Sequence, residues 1–532
     1  MAEGTPLLKH KDEGSTSASL DDVAALAPSS SSSSWAIRLA SKPVNMLIFF
    51  SLASTLLYMD RGAFASEGVN GSLDTRSCIP ESDCVLLNNT CVARNDTVTA
   101  KCTMEGSPSH GFQGEFGLSG ELDGWLQSMF LIGLLVASPI FAYAAKTRDN
   151  LNLCGVGLLL WSIAVFLNGM CFDFYTMALC RTFVGIGEAA LITIVPHFID
   201  TCAPPAQKAK WLATYCIAIP TGTAMGYVYG GLVSSTLGWR YAFFISGIIM
   251  IPMMIFPLLV PTESLAYWNK HDPNIASPGG AEGAARAGVL GLVGLFMKDV
   301  RTVVSNEVYL LGGVGYCLYS AQMGVLAYWG PKSGQAIFDD VKKYGSADSV
   351  FGIMIIVSGI VGTFLGGYLL DRVGVSIAKS LVLCALMTLS GVIVLIFSVL
   401  AWTTVEPFLL TMTVGLILIF AIQGPINIVP LWSTPYVLRP FACALYTVSI
   451  HVFGDVPSAP IAGKYHDSLF NRYREGGDSK AVADAKAWRV TLVLSCMVGS
   501  LSVIFWILGW FFQKRRDGRR FRDERERGSL EE

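Results

Sequence analysis

Long apolar runs separated by short polar connections repeat along most of the chain. A helix that crosses a bilayer needs about 20 mostly apolar residues, and runs of that kind occur in two sets. We predict the first set of spans at roughly 44–66, 122–145, 151–172, 174–200, 209–236 and 240–261. We predict the second set at roughly 307–331, 347–370, 377–401, 406–430, 438–462 and 488–512. The pattern therefore predicts an all-α polytopic membrane protein with twelve transmembrane helices in two six-helix halves.

Polar segments separate and flank the two sets of spans. The N-terminal segment is polar and Ser-rich, which is typical of a disordered tail, and the segment between the sets has the Gly and Pro content of a linker. Six helices, a linker and six helices resemble the major facilitator fold, in which two halves rock around a central site. The predicted units are a disordered cytosolic tail (1–43), the first half (44–261) with an outer Cys-rich loop (about 67–121), a cytosolic linker (262–306), the second half (307–512) and a basic cytosolic tail (513–532).

Composition supports a membrane protein and narrows the class of function. Of the 532 residues, 52% are hydrophobic and only 15% are charged, whereas soluble domains carry about 25% charged residues. The net charge of −2 gives no reason to expect a nucleic-acid partner. The sequence shows no nucleotide-binding loop, no clustered metal ligands and no spacing typical of a catalytic triad. It therefore argues against an enzyme and predicts no metal and no cofactor.

Basic residues in the short connections predict which helix ends face the cytosol. With both termini cytosolic, the connections at 146–148, 208–210 and 371–372 fall inside, together with the basic tail. This distribution obeys the positive-inside rule and places the Cys-rich loop outside. The connection at 463–487 departs from the rule, because it carries five basic residues and yet falls outside.

The outer loop has chemistry of its own. Four of the 13 cysteines and three N-glycosylation sequons crowd into it, whereas the other cysteines are scattered through apolar segments, where a lone cysteine is usually a packing residue. Cysteines together with sequons indicate an oxidising lumenal or extracellular compartment. We predict glycans and two disulfides, whose pairing stays open. The candidates are Cys78, Cys84, Cys91 and Cys102 for disulfides and Asn70, Asn88 and Asn95 for glycans.

A few ionisable residues fall inside predicted spans, where a charge is costly and usually functional. On the fourth span, Arg181 and Glu188 are seven residues apart and lie on nearly one face of a helix. On the first span, Asp60 and Arg61 are adjacent, so their side chains diverge by about 100°. Which of these two faces a central cavity stays open.

We interpret the charges of the first and fourth spans as a cavity-facing network in which protons exchange on Asp60 and Glu188. A carboxylate that is both buried and beside an arginine can titrate near neutral pH, as proton coupling requires. The alternative is a static set of ion pairs that fixes the first helix to the fourth. On the eleventh span, His451 and Asp455 are four residues apart and can touch, either at the cavity or as packing residues.

Glycine and proline mark places where helices can pack closely or bend. The fifth span has a small-residue stripe that includes Gly222 and Gly226, preceded by Pro220, and the eleventh span contains Pro457. A proline frees a backbone carbonyl and weakens a regular helix. Close packing and gating flexure both fit these segments.

The end of the eighth span resembles the signature loop of major facilitator transporters. In that loop a glycine admits a neighbouring helix, an acid meets a helix N-terminus and an arginine anchors the inside face, so that the outward-open state is latched. The corresponding segment of the first half, 142–148, lacks the glycine and the acid. The residues concerned are Gly367, Asp371, Arg372 and Gly374.

Four short motifs, in order and spread over both halves, resemble those of the Spinster family of transporters. They are Tyr58–Arg61, Arg181–Ala189, Ala218–Gly222 and Ile450–Pro457. The outer loop and the segment 133–141 are similar to the plant and algal branch rather than to the animal members. The resemblance covers nearly the whole membrane part of the chain.

The resemblance implies transport of sphingolipids or lysophospholipids, often proton-linked and often at lysosomes or the cell surface. It also implies that the pairs Asp60–Arg61 and Arg181–Glu188 line the central cavity, with the acid of the first helix implicated in proton sensing. The other cavity candidates, which lie within the matching motifs, are Tyr58, Thr221, His451 and Asp455.

The N-terminal tail carries a candidate address. The segment Glu3–Leu8 resembles an acidic dileucine signal, which sorting adaptors read and which is not an anchor. Its candidate contacts are Glu3, Leu7 and Leu8. The predicted location is a late endosomal, lysosomal or vacuolar membrane, with the plasma membrane as the alternative if the match is a chance one.

We therefore expect a monomeric secondary transporter that moves a small amphipathic lipid across the bilayer by alternating access, with the proton as coupling ion. Two other functions stay open. One is transport of a small organic anion clamped by Arg61 and Arg181. The other is a non-transporting receptor or scaffold that binds through the disulfide loop.

Overall fold

The structure, a computed structural model, covers most of the apolar part of the chain. It describes residues 38, 40–73, 77–79, 84–87, 90–93, 103–105, 109–145, 149–204, 211, 214–260, 297–338, 347–435 and 438–531. The sorting-signal candidates Glu3, Leu7 and Leu8 and the sequons at Asn88 and Asn95 lie outside these residues.

The first half consists of long helices joined by short connections, apart from one longer outer segment. In chain order the elements are α1 (Pro43–Ala65), α2 (Glu67–Asn70), β1 (Ser77–Ile79), β2 (Cys84–Leu87), β3 (Thr90–Ala93), β4 (Thr103–Glu105), α3 (Gly111–Phe116), α4 (Gly120–Ala144), α5 (Asn150–Asn168), α6 (Phe174–Cys202), α7 (Ala218–Thr236), α8 (Trp239–Ile249) and α9 (Ile251–Leu259).

The second half repeats the long-helix pattern. Its elements are α10 (Glu307–Ile337), α11 (Ala347–Val373), α12 (Ile377–Ala401), α13 (Val405–Phe420), α14 (Gln423–Ile426), α15 (Ile428–Ser433), α16 (Arg439–Ile450), a π turn (His451–Asp455), α17 (Val456–Glu475) and α18 (Lys480–Glu531). We call the face that carries α2 and α3 the loop side, and the opposite face, where α1 begins, the tail side.

Eleven helical segments within the described residues are long and apolar enough to cross a membrane. The predicted span at 438–462 is not among them, because the regular α-helix is interrupted there. Pro457 has no N–H to donate, and the N–H of Val456 bonds to the carbonyl of His451, five residues back. Helical structure nevertheless continues from Arg439 to Glu475, so the predicted class of two six-helix halves is confirmed.

Two polar segments differ from the prediction. The segment 463–487 is largely helical, because α17 extends to Glu475 and α18 begins at Lys480, and the predicted basic tail continues α18 to Glu531. An apolar-length criterion finds only the part of a helix that the bilayer covers, and it misses polar extensions rich in good helix formers. The basic residues that broke the charge rule thus lie on a helical hairpin beyond the apolar part.

The outer segment forms two small antiparallel sheets, in which β1 pairs with β4 and β2 pairs with β3. Cys78, Cys84 and Cys91 fall on β1, β2 and β3, and the register places Leu86 opposite Cys91. The side chains of these three cysteines, and Cys102 entirely, lie outside the described part of the molecule. The pairing of the predicted disulfides therefore stays a prediction.

Glycines allow α1 and α7 to pack backbone against backbone. A Cβ added at Gly222 would lie 2.5 Å from the carbonyl oxygen of Thr55, and one added at Gly226 would overlap the carbonyl oxygen of Met59. Pro220 lies in the first turn of α7, where its missing N–H costs no intrahelical bond. The small-residue stripe therefore serves helix packing in this structure.

The signature-like segment of α11 packs differently from the expectation. Gly366, and not Gly367, meets the neighbouring helix, because a Cβ at Gly366 would overlap the carbonyl oxygen of Ala421 whereas one at Gly367 would meet open space. Asp371 and Arg372 are exposed. Gly374 ends the helix with a φ of 91°, which favours glycine.

We expect Gly226→Ala to lower the stability of the folded protein by about 1–3 kcal/mol, because the methyl group must displace the backbone of α1. The melting temperature of the purified protein in detergent measures this effect. Gly367→Ala is the matched control, since it adds the same methyl group to a helix at an open position and should leave the melting temperature unchanged or slightly higher. Equal losses for the two variants would contradict the assigned packing.

Candidate functional site

The two charges near the end of α1 each pair with a charge on α6. Arg181 Nη1 donates to Asp60 Oδ2 over 3.0 Å, and the two side chains are 0% and 1% exposed. Asp60 is therefore sealed inside the first half and does not face the space between the halves. Because an unpaired buried charge is very costly, this pair fixes α1 against α6.

Arg61 and Glu188 form the second pair. Arg61 Nη2 lies 2.5 Å from Glu188 Oε1, and Arg61 Nε lies 3.4 Å from Glu188 Oε2, so the contact is bidentate. The Glu188 side chain is fully buried, whereas the Arg61 side chain is 18% exposed. The second pair is thus the more accessible one, and Arg61 is the member of the adjacent pair that reaches solvent.

Aromatic rings surround both guanidinium groups. The Phe130 ring of α4 lies between them, 4.4 Å from Arg61 Cζ and 5.2 Å from Arg181 Cζ. Arg181 also lies 3.9 Å from the Phe64 ring, and Arg61 lies 4.6 Å from the Tyr58 ring. Ring faces attract cations, most strongly where water is excluded, so these rings help to hold the charges in an apolar half.

The innermost pair leaves polar atoms without hydrogen bonds. Oδ1 of Asp60 and both Nε and Nη2 of Arg181 are buried and have no hydrogen-bond partner among the described residues. The face of Phe64 takes the place of a hydrogen-bond acceptor beside Arg181. An under-satisfied buried pair of this kind is sensitive to any change of its charge.

A second group of polar side chains lies in the other half, at the π turn. His451 Nδ1 is 2.7 Å from Asp455 Oδ2, and the Ser320 hydroxyl of α10 donates to Asp455 Oδ1. His451 and Asp455 are part-exposed, with side-chain values of 25% and 20%. The π turn packs against α4, the helix whose Phe130 ring lies against Arg61, so Arg61 and the π turn border the same space between the halves.

The halves close this space on the loop side. Helix α4 packs against α17, where a Cβ at Gly124 would overlap the backbone of Pro460, and α7 packs against α11, where a Cβ at Gly352 would lie 2.8 Å from the carbonyl oxygen of Ala224. The hydrogen bonds between the halves cluster on the same side. Solvent that reaches Arg61 therefore enters from the tail side.

The remaining sequence candidates fall into different places. Tyr58 lies against Arg61 at this site, and Thr221 is half-buried in the first turn of α7 without a side-chain hydrogen bond to the described site residues. The structure contradicts the predicted glycan on Asn70. The Nδ2 atom, which would carry the glycan, is buried and donates to Asp123 and Tyr328. A glycan on Asn70 is incompatible with this arrangement.

Sequence reasoning missed two groups of residues. Phe64 and Phe130 carry no local signal, since apolar aromatic residues are ordinary in membrane helices. Asp123 and Lys332 did carry a signal: Asp123 is an acid inside the predicted span 122–145, and Lys332 follows directly on the predicted span 307–331. Their proximity to span ends made them look like ordinary boundary residues.

Comparisons with known proteins agree with this geometry. The sequence profile of the Major Facilitator Superfamily matches residues 107–454. Two Arabidopsis thaliana proteins are similar over most of their length: the probable sphingolipid transporter spinster homolog 2 is 36% identical, covering 88% of this chain and 87% of that one. The probable sphingolipid transporter spinster homolog 3 is 37% identical, and that match covers 88% of this chain and 84% of the relative.

Among solved structures, the fold is similar to that of a bacterial homologue of the human lysosomal transporter Spinster, in an inward-facing and unoccupied conformation. The TM-score is 0.66 at 16% sequence identity, and the match covers 88% of this chain and 97% of the other. At that identity the likeness concerns the fold alone.

We expect Asp60→Asn to destabilise the protein by about 3–5 kcal/mol, because it leaves Arg181 charged and fully buried without a counter-charge. Glu188→Gln should cost less, since Arg61 can turn toward solvent. Melting temperatures in detergent measure the order of the two losses. Glu475→Gln, at an exposed position on α17, is the neutral control, and a loss for Glu188→Gln equal to that for Asp60→Asn would contradict the distinction.

Proposed function

Because the chain belongs to the major facilitator superfamily and, within it, to the Spinster-like transporters, we propose that it moves a sphingolipid or a lysophospholipid across a membrane by proton-coupled alternating access. The family makes it a multi-pass membrane transporter and not an enzyme. The lipid class comes from the names of the Arabidopsis relatives, and the physical case rests on the site.

The observation that carries the proposal is the accessible Arg61–Glu188 pair. One edge of the Arg61 guanidinium is held by Glu188, its faces lie against Tyr58 and Phe130, and its side chain reaches the space between the halves. A guanidinium held in this way can bind an anionic headgroup bidentately. Asp455 and His451, on the opposite wall, supply an acid and a base for a headgroup that also carries an amine.

Proton coupling follows from competition for Arg61. Protonation of Glu188 weakens its hold on the guanidinium and releases Arg61 to a phosphate-bearing headgroup, whereas loss of the proton restores the ion pair and expels the headgroup. Asp60 is sealed behind the pair with Arg181, so it exchanges protons only when α1 and α6 separate. Glu188 is accordingly the first proton site and Asp60 the second.

The geometry disfavours the organic-anion alternative. A clamp needs two arginines that face the substrate, and Arg181 is fully buried and occupied by Asp60. Arg61 is left as the single site arginine of the first half that reaches the space between the halves. One cation with flanking rings suits an amphipathic molecule with one charged head better than a small dianion.

The cellular setting is part of the same proposal. The dileucine-like segment favours adaptor-mediated delivery to late endosomes, lysosomes or vacuoles, with the plasma membrane as alternative. The loop side would then face the lumen or the exterior, where disulfides among the four loop cysteines and glycans on Asn88 and Asn95 can form. A monomer is sufficient, because both walls of the site come from one chain.

Reconstitution in liposomes tests the function. Fluorescent sphingosine 1-phosphate and fluorescent lysophosphatidylcholine, both of which carry a phosphate, are loaded on one side, and their flux is followed with and without a pH gradient. We expect the wild-type protein to move at least one of them faster under the gradient, and we expect Glu188→Gln to lose at least tenfold in flux and most of the pH dependence. Glu475→Gln, with the same chemical change at an exposed position, should behave as the wild type.

Three outcomes would contradict the proposal. Flux that is insensitive to both pH and Glu188→Gln would exclude proton coupling through Glu188. Transport of small organic anions, without either lipid, would favour the clamp despite the burial of Arg181. Absence of any flux, together with loss of partner binding when the loop cysteines are replaced, would favour a receptor or scaffold.

A further inference from the structure

A second buried polar cluster joins the halves on the loop side. Asp123 Oδ1 accepts from the Tyr328 hydroxyl over 2.6 Å and from Asn70 Nδ2 over 3.0 Å. Asn70 Nδ2 also donates to the Tyr328 oxygen over 2.9 Å. Lys332 Nζ donates to Gln113 Oε1 and lies 3.8 Å from Asp123 Oδ2. We call Asn70, Gln113, Asp123, Tyr328 and Lys332 the loop-side cluster.

The loop-side cluster is divided between the two halves. Asn70, Gln113 and Asp123 belong to the first half, whereas Tyr328 and Lys332 lie on α10 of the second half. All five residues are buried, with exposed fractions between 0% for Asp123 and 9% for Lys332. Most of these contacts can therefore exist only while the halves are closed on the loop side.

The first turns of α4 dock onto α17 beside the cluster. The backbone N–H of Gly120 donates to Asp467 Oδ2 over 2.6 Å, and a Cβ at Gly120 would lie 2.9 Å from the carbonyl oxygen of Gly463. About two turns further on, the Ser128 hydroxyl donates to the carbonyl oxygen of Val456 over 2.5 Å. That carbonyl lacks its helical donor, because the residue four positions later is Pro460.

Charge complementarity decides how firmly this region closes. Lys332 and Asp123 are both withdrawn from water, and Asp123 Oδ2 has no hydrogen bond among the described residues. Removal of either charge alone would leave the other buried and uncompensated, which is strongly unfavourable, whereas removal of both charges together is often tolerated. The closed state should therefore depend on the pairing of the two charges and not on either one alone.

The cluster also contacts the ion-pair site. The Tyr328 and Phe64 rings stack with their centroids 6.1 Å apart. The Phe64 ring also lies 3.9 Å from Arg181 Cζ. A side chain that closes the loop side thus lies one ring away from the Asp60–Arg181 pair.

We propose that the loop-side cluster is the latch that holds the halves closed on the loop side, and that the Asp123–Lys332 charge pair sets its strength. This inference rests on the alternating access of the proposed function. It assigns a positioning role in the transport cycle to residues outside the candidate substrate site.

A distance measurement across the loop side tests the latch. Spin-labelled unnatural amino acids replace Ser235 on α7 and Asn471 on α17, both exposed, so that the native cysteines stay in place. Pulsed electron double resonance then gives the distance distribution in nanodiscs. For the wild type we expect a dominant short distance, and for Asp123→Asn or Lys332→Met at least a threefold rise in the long-distance population.

The double variant Asp123→Asn with Lys332→Met is the decisive arm. It should return the distribution toward the wild type, because no uncompensated charge remains buried. Glu121→Gln is the matched control, because Glu121 lies on the same turn of α4 as Asp123 but pairs with Lys464 of α17 at an exposed position. An exposed ion pair contributes little, so this variant should leave the distances unchanged. Tyr328→Phe removes one hydroxyl only and should give an intermediate shift, so it decides the matter if the charge variants fail to fold.

Two results would overturn the latch. One is a distance distribution that no single variant changes, and the other is a double variant that opens the loop side more than either single variant does. The readout needs no substrate, so it is separate from the lipid proposal. Shifted distances without lipid flux would support the latch and reject lipid transport. Lipid flux with unshifted distances would support lipid transport and reject the latch.

Discussion

The ion pair between Asp60 and Arg181 is the constraint on which the arrangement of the first half depends. Both side chains are almost completely buried, and in an apolar interior neither charge is tolerable alone. The pair therefore fixes the position and rotation of α1 relative to α6. The glycines of α7 then let a third helix close on α1 with backbone contact, so α1 has little freedom to turn.

A fixed α1 determines where its next residue points. Arg61 follows Asp60 directly, and its longer side chain reaches Glu188, two turns further along α6 than Arg181, or about 10 Å. The two adjacent charges thus contact the same helix at different depths, one sealed and one open to the space between the halves. A structural pair and an accessible pair arise from one dipeptide, and they correspond to the static and the functional interpretations of these charges.

Much of the fold and half of the site followed from the sequence, because burial in a bilayer leaves a strong signal. Apolar length located the spans, and the rarity of charge inside them singled out Asp60, Arg61, Arg181 and Glu188. The pairing of these residues did not follow, since it depends on helix rotation, which no local pattern encodes. Three further features depend on contacts between residues distant in sequence. They are the break in the helix at Val456, the close helix contact at Gly366 and not at Gly367, and the burial of Asn70. A sequon states only that Asn70 has the sequence context for a glycan, whereas in the folded protein its amide donates hydrogen bonds to Asp123 of the same half and to Tyr328 of the opposite half.

The two polar systems differ in how they are connected, and this difference suits a protein whose halves move. The ion pairs of the candidate site join α1 to α6 inside one half, so a rigid-body movement of the halves leaves them intact. Most contacts of the loop-side cluster, and the bond from Ser128 to the carbonyl freed by Pro460, run between the halves, so the same movement breaks them. Opening on the loop side must therefore replace those partners with water, which can reach them only on that side. Opening of the loop side therefore does not by itself take the ion pairs apart, and the free energy of the latch contacts decides which side of the site is open.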